Sequence, residues 1–240
     1  MKGKKAVILL LRPEAESRDA INMIRSSGLG VVAKEAIKIK CNSIDKEKLC
    51  AMASAAAYVI FSSRNAVHCM ETSMPALKKC RSKVFASGTT TAGLLKGLGV
   101  RVAFAPRTGG ISKIIARLLA ERLKGKIVVV FGSNLSKNDY GAILSRGATV
   151  EEAHIYDTLI NKVELSPKEL SSITHVMLFS PSEVEALRAS IDAQQIKALK
   201  SKTAICIGRA TYDTAKSLFR IRKLAGSNTV KGAIKMVNGG

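Results

Sequence analysis

Four short apolar runs punctuate the chain, at residues 6–11 (AVILLL), 58–61 (YVIF), 127–131 (IVVVF) and 176–179 (VMLF), and each leads into a stretch with apolar positions at helical spacing. Alternation of apolar or β-branched runs with helical stripes predicts a parallel α/β sheet. In the first helix Ala20, Ile21 and Ile24 form the stripe. Pro13 suits its first position, Glu14 and Glu16 its electropositive end, and Gly28 the residue just past its last turn. The same reading predicts helices over 64–72, 90–97, 112–123, 137–146, 182–190, 193–199, 210–219 and 229–236, with strands over 36–39 and 153–156.

These elements recur. The run ending at Leu11-Arg12-Pro13, with Gly28 and the strand 36–39 beyond it, parallels the run ending at Phe131-Gly132-Ser133, with Gly147 and the strand 153–156. Likewise Phe61-Ser62-Ser63 with Gly88-Thr-Thr-Thr91 parallels Phe179-Ser180-Pro181-Ser182 with Gly208-Arg-Ala-Thr211. The halves are offset by about 120 residues, so the chain reads as a tandem duplication giving two similar α/β domains.

Charge narrows the partners. Against 18 Asp and Glu stand 39 Lys and Arg, a formal net charge of +21, which predicts an anionic partner: nucleic acid, an acidic membrane or a small polyanion. With ten aromatic residues and no Trp, the chain is poor in the stacking surfaces that single-strand binders use. The basic start Met1-Lys-Gly-Lys-Lys5 followed by an apolar run mimics a secretory signal, but that run ends after six residues, and none is long enough to cross a bilayer. A cytoplasmic protein is expected, its five cysteines (Cys41, Cys50, Cys69, Cys80 and Cys206) reduced, with neither a C-x-x-C pair nor a metal site suggested by the three dispersed histidines.

Gly28-Leu-Gly30-Val-Val-Ala33 satisfies a dinucleotide-binding pattern, but in reversed context, since these glycines end a helix and lead into a strand; Gly97-Leu-Gly99 is placed in the same way. Both are read as helix-terminating turns. Phosphate-loop, zinc-helix and nucleophile-elbow signatures are all missing. Ser63 next to His68 lacks a carboxylate partner for a triad and reads as a helix N-cap. The strand-to-helix loops say more: Arg12, Ser62-Ser63, Gly88–Thr91, Gly132–Asn134, Ser180–Ser182 and Gly208–Thr211 fall where a doubly wound domain binds ligands. Most are small or hydroxylic and leave helix-start N–H groups open to anionic oxygens, with Thr91 and Thr211 adding hydroxyls. Plain capping competes for any one loop; six in a basic chain favour a ligand with several carboxylates or phosphates held between two domains. Tyr156, ending the 153–156 strand, offers a phenol to a leaving oxygen, against the reading of a half-buried strand tyrosine with its hydroxyl in water.

Taken in order, Leu11-Arg12-Pro13-Glu14, Phe61-Ser62-Ser63-x-x-Ala66-Val67, Gly88-x-x-Thr91-Ala92, Gly132-x-Asn134-Leu135, Leu144-x-x-Gly147-x-x-Val150, Tyr156-x-Thr158, Phe179-Ser180-Pro181-Ser182 and Ile207-Gly208-x-x-Thr211 resemble the uroporphyrinogen-III synthase family across nearly the full chain. The resemblance implies two similar doubly wound parallel-sheet domains, flavodoxin-like or Rossmann-like, joined by a two-stranded linker. It divides the chain discontinuously, 1–36 with 161–240 as one domain and 41–154 as the other, with 37–40 and 155–160 as the linker. It further implies a cofactor-free, metal-free lyase that cyclises hydroxymethylbilane, a carrier of eight carboxylates, to uroporphyrinogen III with loss of water and inversion of ring D through an azafulvene and a spiro intermediate. Positioning outweighs acid–base power in such chemistry. Carried over, Tyr156 is the catalytic residue, and Arg12, Ser62, Ser63, Thr91, Ser180, Ser182, Gly208 and Thr211 bind substrate. Ser133 is an insertion relative to members reading Gly-Asn-Leu, and Lys137 replaces an Arg common there; neither is given a role. A monomer is expected. The competing readings are a basic nucleic-acid-binding protein, disfavoured because Lys and Arg spread over many helix faces, and a non-catalytic binder of anionic metabolites.

Overall fold

The computed structural model describes residues 5–12, 14–108, 110–136, 138–227 and 229–237, with the side chains of 14–16 excepted. Pro13 and Lys137, and the side chains of Glu14 and Glu16, lie outside what is described. The chain forms two compact units, Met1–Lys38 with Leu159–Gly240 and, by itself, Ile39–Thr158.

The first unit opens with β1 (Val7–Leu10), α1 (Glu14–Ser26) and β2 (Gly30–Ala33), after which β3 (Ile37–Cys41) carries the chain onward. The second unit follows as α2 (Lys46–Ala55), β4 (Tyr58–Phe61), α3 (Arg64–Cys69), α4 (Met74–Leu77), β5 (Lys83–Ala86), α5 (Thr89–Gly97), β6 (Val102–Phe104), α6 (Gly110–Leu118), β7 (Ile127–Ser133), α7 (Gly141–Leu144) and the long β8 (Thr149–Ile160). The chain then completes the first unit through α8 (Pro167–Ser172), β9 (His175–Leu178), α9 (Pro181–Ser190), α10 (Ala193–Leu199), β10 (Thr203–Cys206), α11 (Arg209–Thr214), β11 (Ile221–Leu224) and α12 (Val230–Val237).

Strand order in the first unit is β11-β10-β9-β1-β2, all parallel, and in the second β3-β8-β7-β4-β5-β6, where the five strands from β8 to β6 are parallel. Numbered within its own unit, the first sheet is 2-1-3-4-5 and the second, without β3, is 3-2-1-4-5, the two doubly wound orders. The central strands are apolar throughout because helices cover both faces. In the second unit Val59, Phe61, Val129 and Phe131 pack to one side, while Tyr58, Ile60, Val128 and Val130 pack to the other. In the first, Leu9, Val176, Leu178 and Ala204 oppose Ile8, Leu10, Met177 and Ile205.

Several expectations shift. The helices predicted over 137–146 and 210–219 contract to α7 and α11, the latter followed by a 3-10 turn over Ala215–Ser217. Three helices, α2, α4 and α8, lie outside the expected ranges: α2 buries only Leu49 and Ala53, α4 is a single turn, and α8 has no buried residue, so none shows an apolar stripe. The expected strand 36–39 is β3, which pairs with β8; the repeat's true counterpart of β8 is β2. Gly28, Gly99 and Gly147 all follow helices at φ of 79°, 77° and 79°, a left-handed conformation that confirms the helix-terminating reading of the reversed motifs. The expectation of five reduced thiols fails: Cys41 on β3 and Cys69 at the end of α3 form a disulfide, and Cys50, Cys80 and Cys206 remain free. The two cysteines lie 28 residues apart, in no local motif, and meet because β3 runs along the edge of the sheet on which α3 packs.

Candidate active site

In each sheet the strand order reverses at one point, between β1 and β9 in the first unit and between β7 and β4 in the second. Ligands of doubly wound folds bind beyond the carboxyl ends of the strands that flank this point. In the second unit the flanking segments are Ser62-Ser63 after β4 and Gly132-Ser133 at the end of β7, with Tyr156 on neighbouring β8.

Tyr156 reaches that edge because of a bulge. Ala153 and His154 pair with Phe131 and Gly132, but the register then slips, so that Tyr156 rather than Ile155 lies opposite Ser133. One extra residue re-aims the side chains that follow it. Ile155 and Tyr156, consecutive in sequence, therefore both join the core cluster of Phe61 and Phe131. Tyr156 is 6% exposed, not half-buried, and its Oη lies 2.8 Å from Ser63 Oγ instead of in bulk water. Ser63 Oγ also accepts the Ala66 N–H at 3.0 Å and so caps α3.

The β7 loop is tied down around these two. Ser133 Oγ accepts the Leu135 N–H, Ser136 Oγ accepts the Ser133 N–H, and Asn134 Oδ1 accepts the Thr158 N–H, all at 3.0–3.2 Å. Gly132 permits this closeness, since a Cβ there would come within 2.8 Å of Ser136 Oγ and 3.2 Å of Ser62 Oγ. Asn134 belongs to the Gly132–Asn134 loop expected from the sequence to line the ligand crevice, whereas nothing in the sequence points to Ser136.

The first unit repeats the plan. Ser180 Oγ accepts the Glu183 N–H and caps α9 as Ser63 caps α3, while the buried Glu183 carboxylate accepts the Phe179 N–H at 2.7 Å. The register implied by the two Phe-Ser pairs is thus corrected by one: Ser180 corresponds to Ser63, not to Ser62. Ser182 lies half-buried in the first turn of α9. The guanidinium of Arg12, a buried residue just after β1, stacks 4.2 Å from the Phe179 ring centroid.

The two Gly-x-x-Thr loops match in both units. Gly88 caps α5 and Gly208 caps α11, neither with a side-chain cap. Thr91 and Thr211 are only 4% and 3% exposed, and Thr91 Oγ1 lies 3.5 Å from Ser87 Oγ. The exposed first-turn positions are Thr89 and Thr90 in one unit and Arg209 and Ala210 in the other. Arg209 reaches Asp213 and the Tyr212 ring, and Arg222 on β11 lies against the same ring. An arginine on an edge strand carries no sequence signal, so nothing in the sequence points to Arg222.

The family model described as uroporphyrinogen-III synthase HemD matches residues 4–233. The chain belongs to the uroporphyrinogen-III synthase family. A mutant uroporphyrinogen III synthase from the extremely thermophilic bacterium Thermus thermophilus shares 13% identity with it at a TM-score of 0.65, over 97% of both chains. A uroporphyrinogen-III synthetase from Helicobacter pylori shares 16% at a TM-score of 0.60, over 98% of both. At these identities the likeness shows the two-domain α/β fold. No curated protein sequence matches. The function that comes with the uroporphyrinogen-III synthase family is that of a cyclising lyase of tetrapyrrole biosynthesis, acting on a small tetrapyrrole to give uroporphyrinogen III. Among the described residues no helix is long and apolar enough to cross a membrane, and no group of three or more His, Cys, Asp or Glu could hold a metal ion.

Proposed function

We propose that Tyr156 is the proton donor to the hydroxyl that leaves hydroxymethylbilane, and that Ser63 positions it. The 2.8 Å contact between their oxygens carries this reading. Ser63 Oγ already takes the Ala66 N–H, so its own hydrogen is available to Tyr156 Oη, which turns the phenolic hydrogen toward the substrate. The C–O bond breaks as the adjacent pyrrole forms the azafulvene, and the oxygen leaves as water with the proton from Tyr156. The phenolate recovers a proton when the closing pyrrole regains its aromatic form. Bond formation from the substituted carbon of ring D depends on how the chain is held, which is a matter of orientation more than of acid strength.

For the holding we propose the carboxyl edge of each unit, taken by itself: Ser62, Thr91 and the open N–H groups after Gly88 in one; Arg12, Ser180, Ser182, Gly208 and Thr211 in the other. Carboxylates suit such helix starts and the arginines beside them. Because Thr91 and Thr211 are buried, their part is to shape the loops, while Thr89, Thr90 and Arg209 offer the exposed donors. The reading includes a monomer in the cytoplasm. Alkylation in intact cells, followed by denaturation, tests the compartment, since a reducing pool would open the Cys41–Cys69 pair and leave both as thiols.

The test of activity feeds hydroxymethylbilane and separates isomers I and III by chromatography. Tyr156→Phe is expected to slow isomer III formation by more than about tenfold. Ser63→Asp keeps a cap for α3 but has no hydrogen to donate when ionised, so it is expected to slow the reaction without lowering the melting temperature. An unchanged rate in Tyr156→Phe would remove the proton-donor role, and a wild type yielding only isomer I would remove the activity.

A further inference from the structure

The second unit has a concavity that the proposed chemistry does not use. Its volume is about 770 Å³, and it lies at the opposite edge of the sheet from Tyr156, where β5 and β6 begin. β5 is four residues long, so about 13 Å of strand separates the two edges. Five cations line the hollow, Lys78, Arg81, Lys83, Arg101 and Arg117, against one carboxylate, Glu121.

That carboxylate is fully engaged. Glu121 pairs with Lys83 at 2.9 Å and Arg117 at 2.8 Å and accepts the Tyr58 hydroxyl, and its pKa is lowered by the Lys83 hydrogen bond before any other cause. Among the described residues Lys78, Arg81 and Arg101 have no acidic partner. The Lys78 side chain packs on the backbone of Gly99, where a Cβ would come within 3.0 Å of its Nζ and where φ is +77°.

The bland account of these cations is that they neutralise helix ends, since α4, α5 and α6 all finish here. Three helix termini supply together about −1.5 charges, and Glu121 one more, which leaves an excess of about 2.5 positive charges gathered in one concave space. All five side chains are exposed, so solvent screens part of this repulsion, and an anion with two or more charges relieves what remains. The two guanidinium forks without an acidic partner, Arg81 and Arg101, suit phosphate oxygens, and the volume is that of a small-molecule site rather than a nucleic-acid groove.

We propose that this amino-edge hollow binds a small molecule carrying two or more linked phosphates. The site is independent of the Tyr156 edge and of the reaction assigned to it.

Calorimetric titration of the full chain with ADP and with inorganic pyrophosphate tests this. Binding of either supports the site, and tighter binding of ADP means that the nucleoside adds contacts of its own. The double variant Arg81→Ser/Arg101→Ser is expected to weaken binding by about tenfold or more. The control Lys197→Ser/Lys200→Ser, which removes the same charge from α10 and its end in the other unit, is expected to leave it within about twofold. Isomer III formation is expected to persist in both variants, and circular dichroism confirms that both are folded. Equal weakening in the two variants would reduce the effect to overall charge and overturn the proposal. So would silence of both probes while single-stranded RNA or uroporphyrin binds, or silence of all four.

Discussion

Glu169 shows how far one residue can be read. It closes a capping box with Ser166 at the start of α8 and pairs with Lys34 at 2.8 Å, and the hydrogen bond from Lys34 leads the causes that lower its pKa to about 2 from an ordinary 4.5. A carboxylate held below its unfolded value adds stability that is complete above about pH 4.5 and is lost as the pH falls toward about 2. Glu169→Gln is therefore expected to lower the urea midpoint most near about pH 6, the gap closing by about pH 2; a gap that stays constant with pH would refute the assignment. The box is legible as Ser166-x-x-Glu169 with Pro167 between, the usual N-terminal signature, but no apolar stripe follows it, so the sequence pattern predicts no helix there. Ser63 was readable as a cap on the same logic. Its contact with Tyr156 was not, because the two lie 93 residues apart and meet only through a bulge that no local pattern encodes. Burial of Thr91 and Thr211 follows from their place in the third helical position after the capping glycine, which both loops share.

At the scale of elements, the disulfide between β3 and α3 joins two parts of the candidate site's frame. α3 begins at the Ser63 cap and ends at Cys69, and β3 leads to Asn42, whose N–H bonds the Ile155 carbonyl one residue before Tyr156. Closing a loop with a sequence separation of 28 restricts the unfolded chain by about 3.6 kcal/mol. Cys41→Ser/Cys69→Ser is thus expected to lower stability by about 2–4 kcal/mol in urea titration monitored by circular dichroism. A reducing agent should produce the same loss in the wild type and none in the double variant; sensitivity in both would point to another cause. Strands and most helices were legible because their caps and terminating glycines are punctuation fixed by backbone chemistry. α2 was not, since a helix that covers a sheet with Leu49 and Ala53 alone presents too narrow an apolar face to register as a period.

For the molecule as a whole, the repeat seen in the sequence is real but is interleaved in space. β1 and β2 correspond to β7 and β8, and β4, β5 and β6 to β9, β10 and β11, yet each unit takes one part from the first copy and one from the second. A tandem repeat cut at its midpoint would have predicted two contiguous domains, because sequence periodicity reports which segments are alike and not which of them pair. The consequence is an asymmetry in folding. Ile39–Thr158 is contiguous and holds packed apolar clusters on both faces of its own sheet, and its length is that of an ordinary domain. The other unit needs both ends of the chain, because β1 is central, between β2 and β9. Without it, β9 is left with an unpaired edge and an uncovered apolar face. A fragment of residues 39–158 is expected to show far-UV dichroism of mixed α/β type and a single cooperative urea transition, whereas a fragment of 159–240 is expected to stay unfolded until residues 1–38 are added in trans. The chain has no Trp, so dichroism is the readout for both. Cooperative unfolding of 159–240 alone would mean that β9, β10 and β11 suffice as a core, and disorder in 39–158 would mean that the contiguous unit depends on the other for its stability.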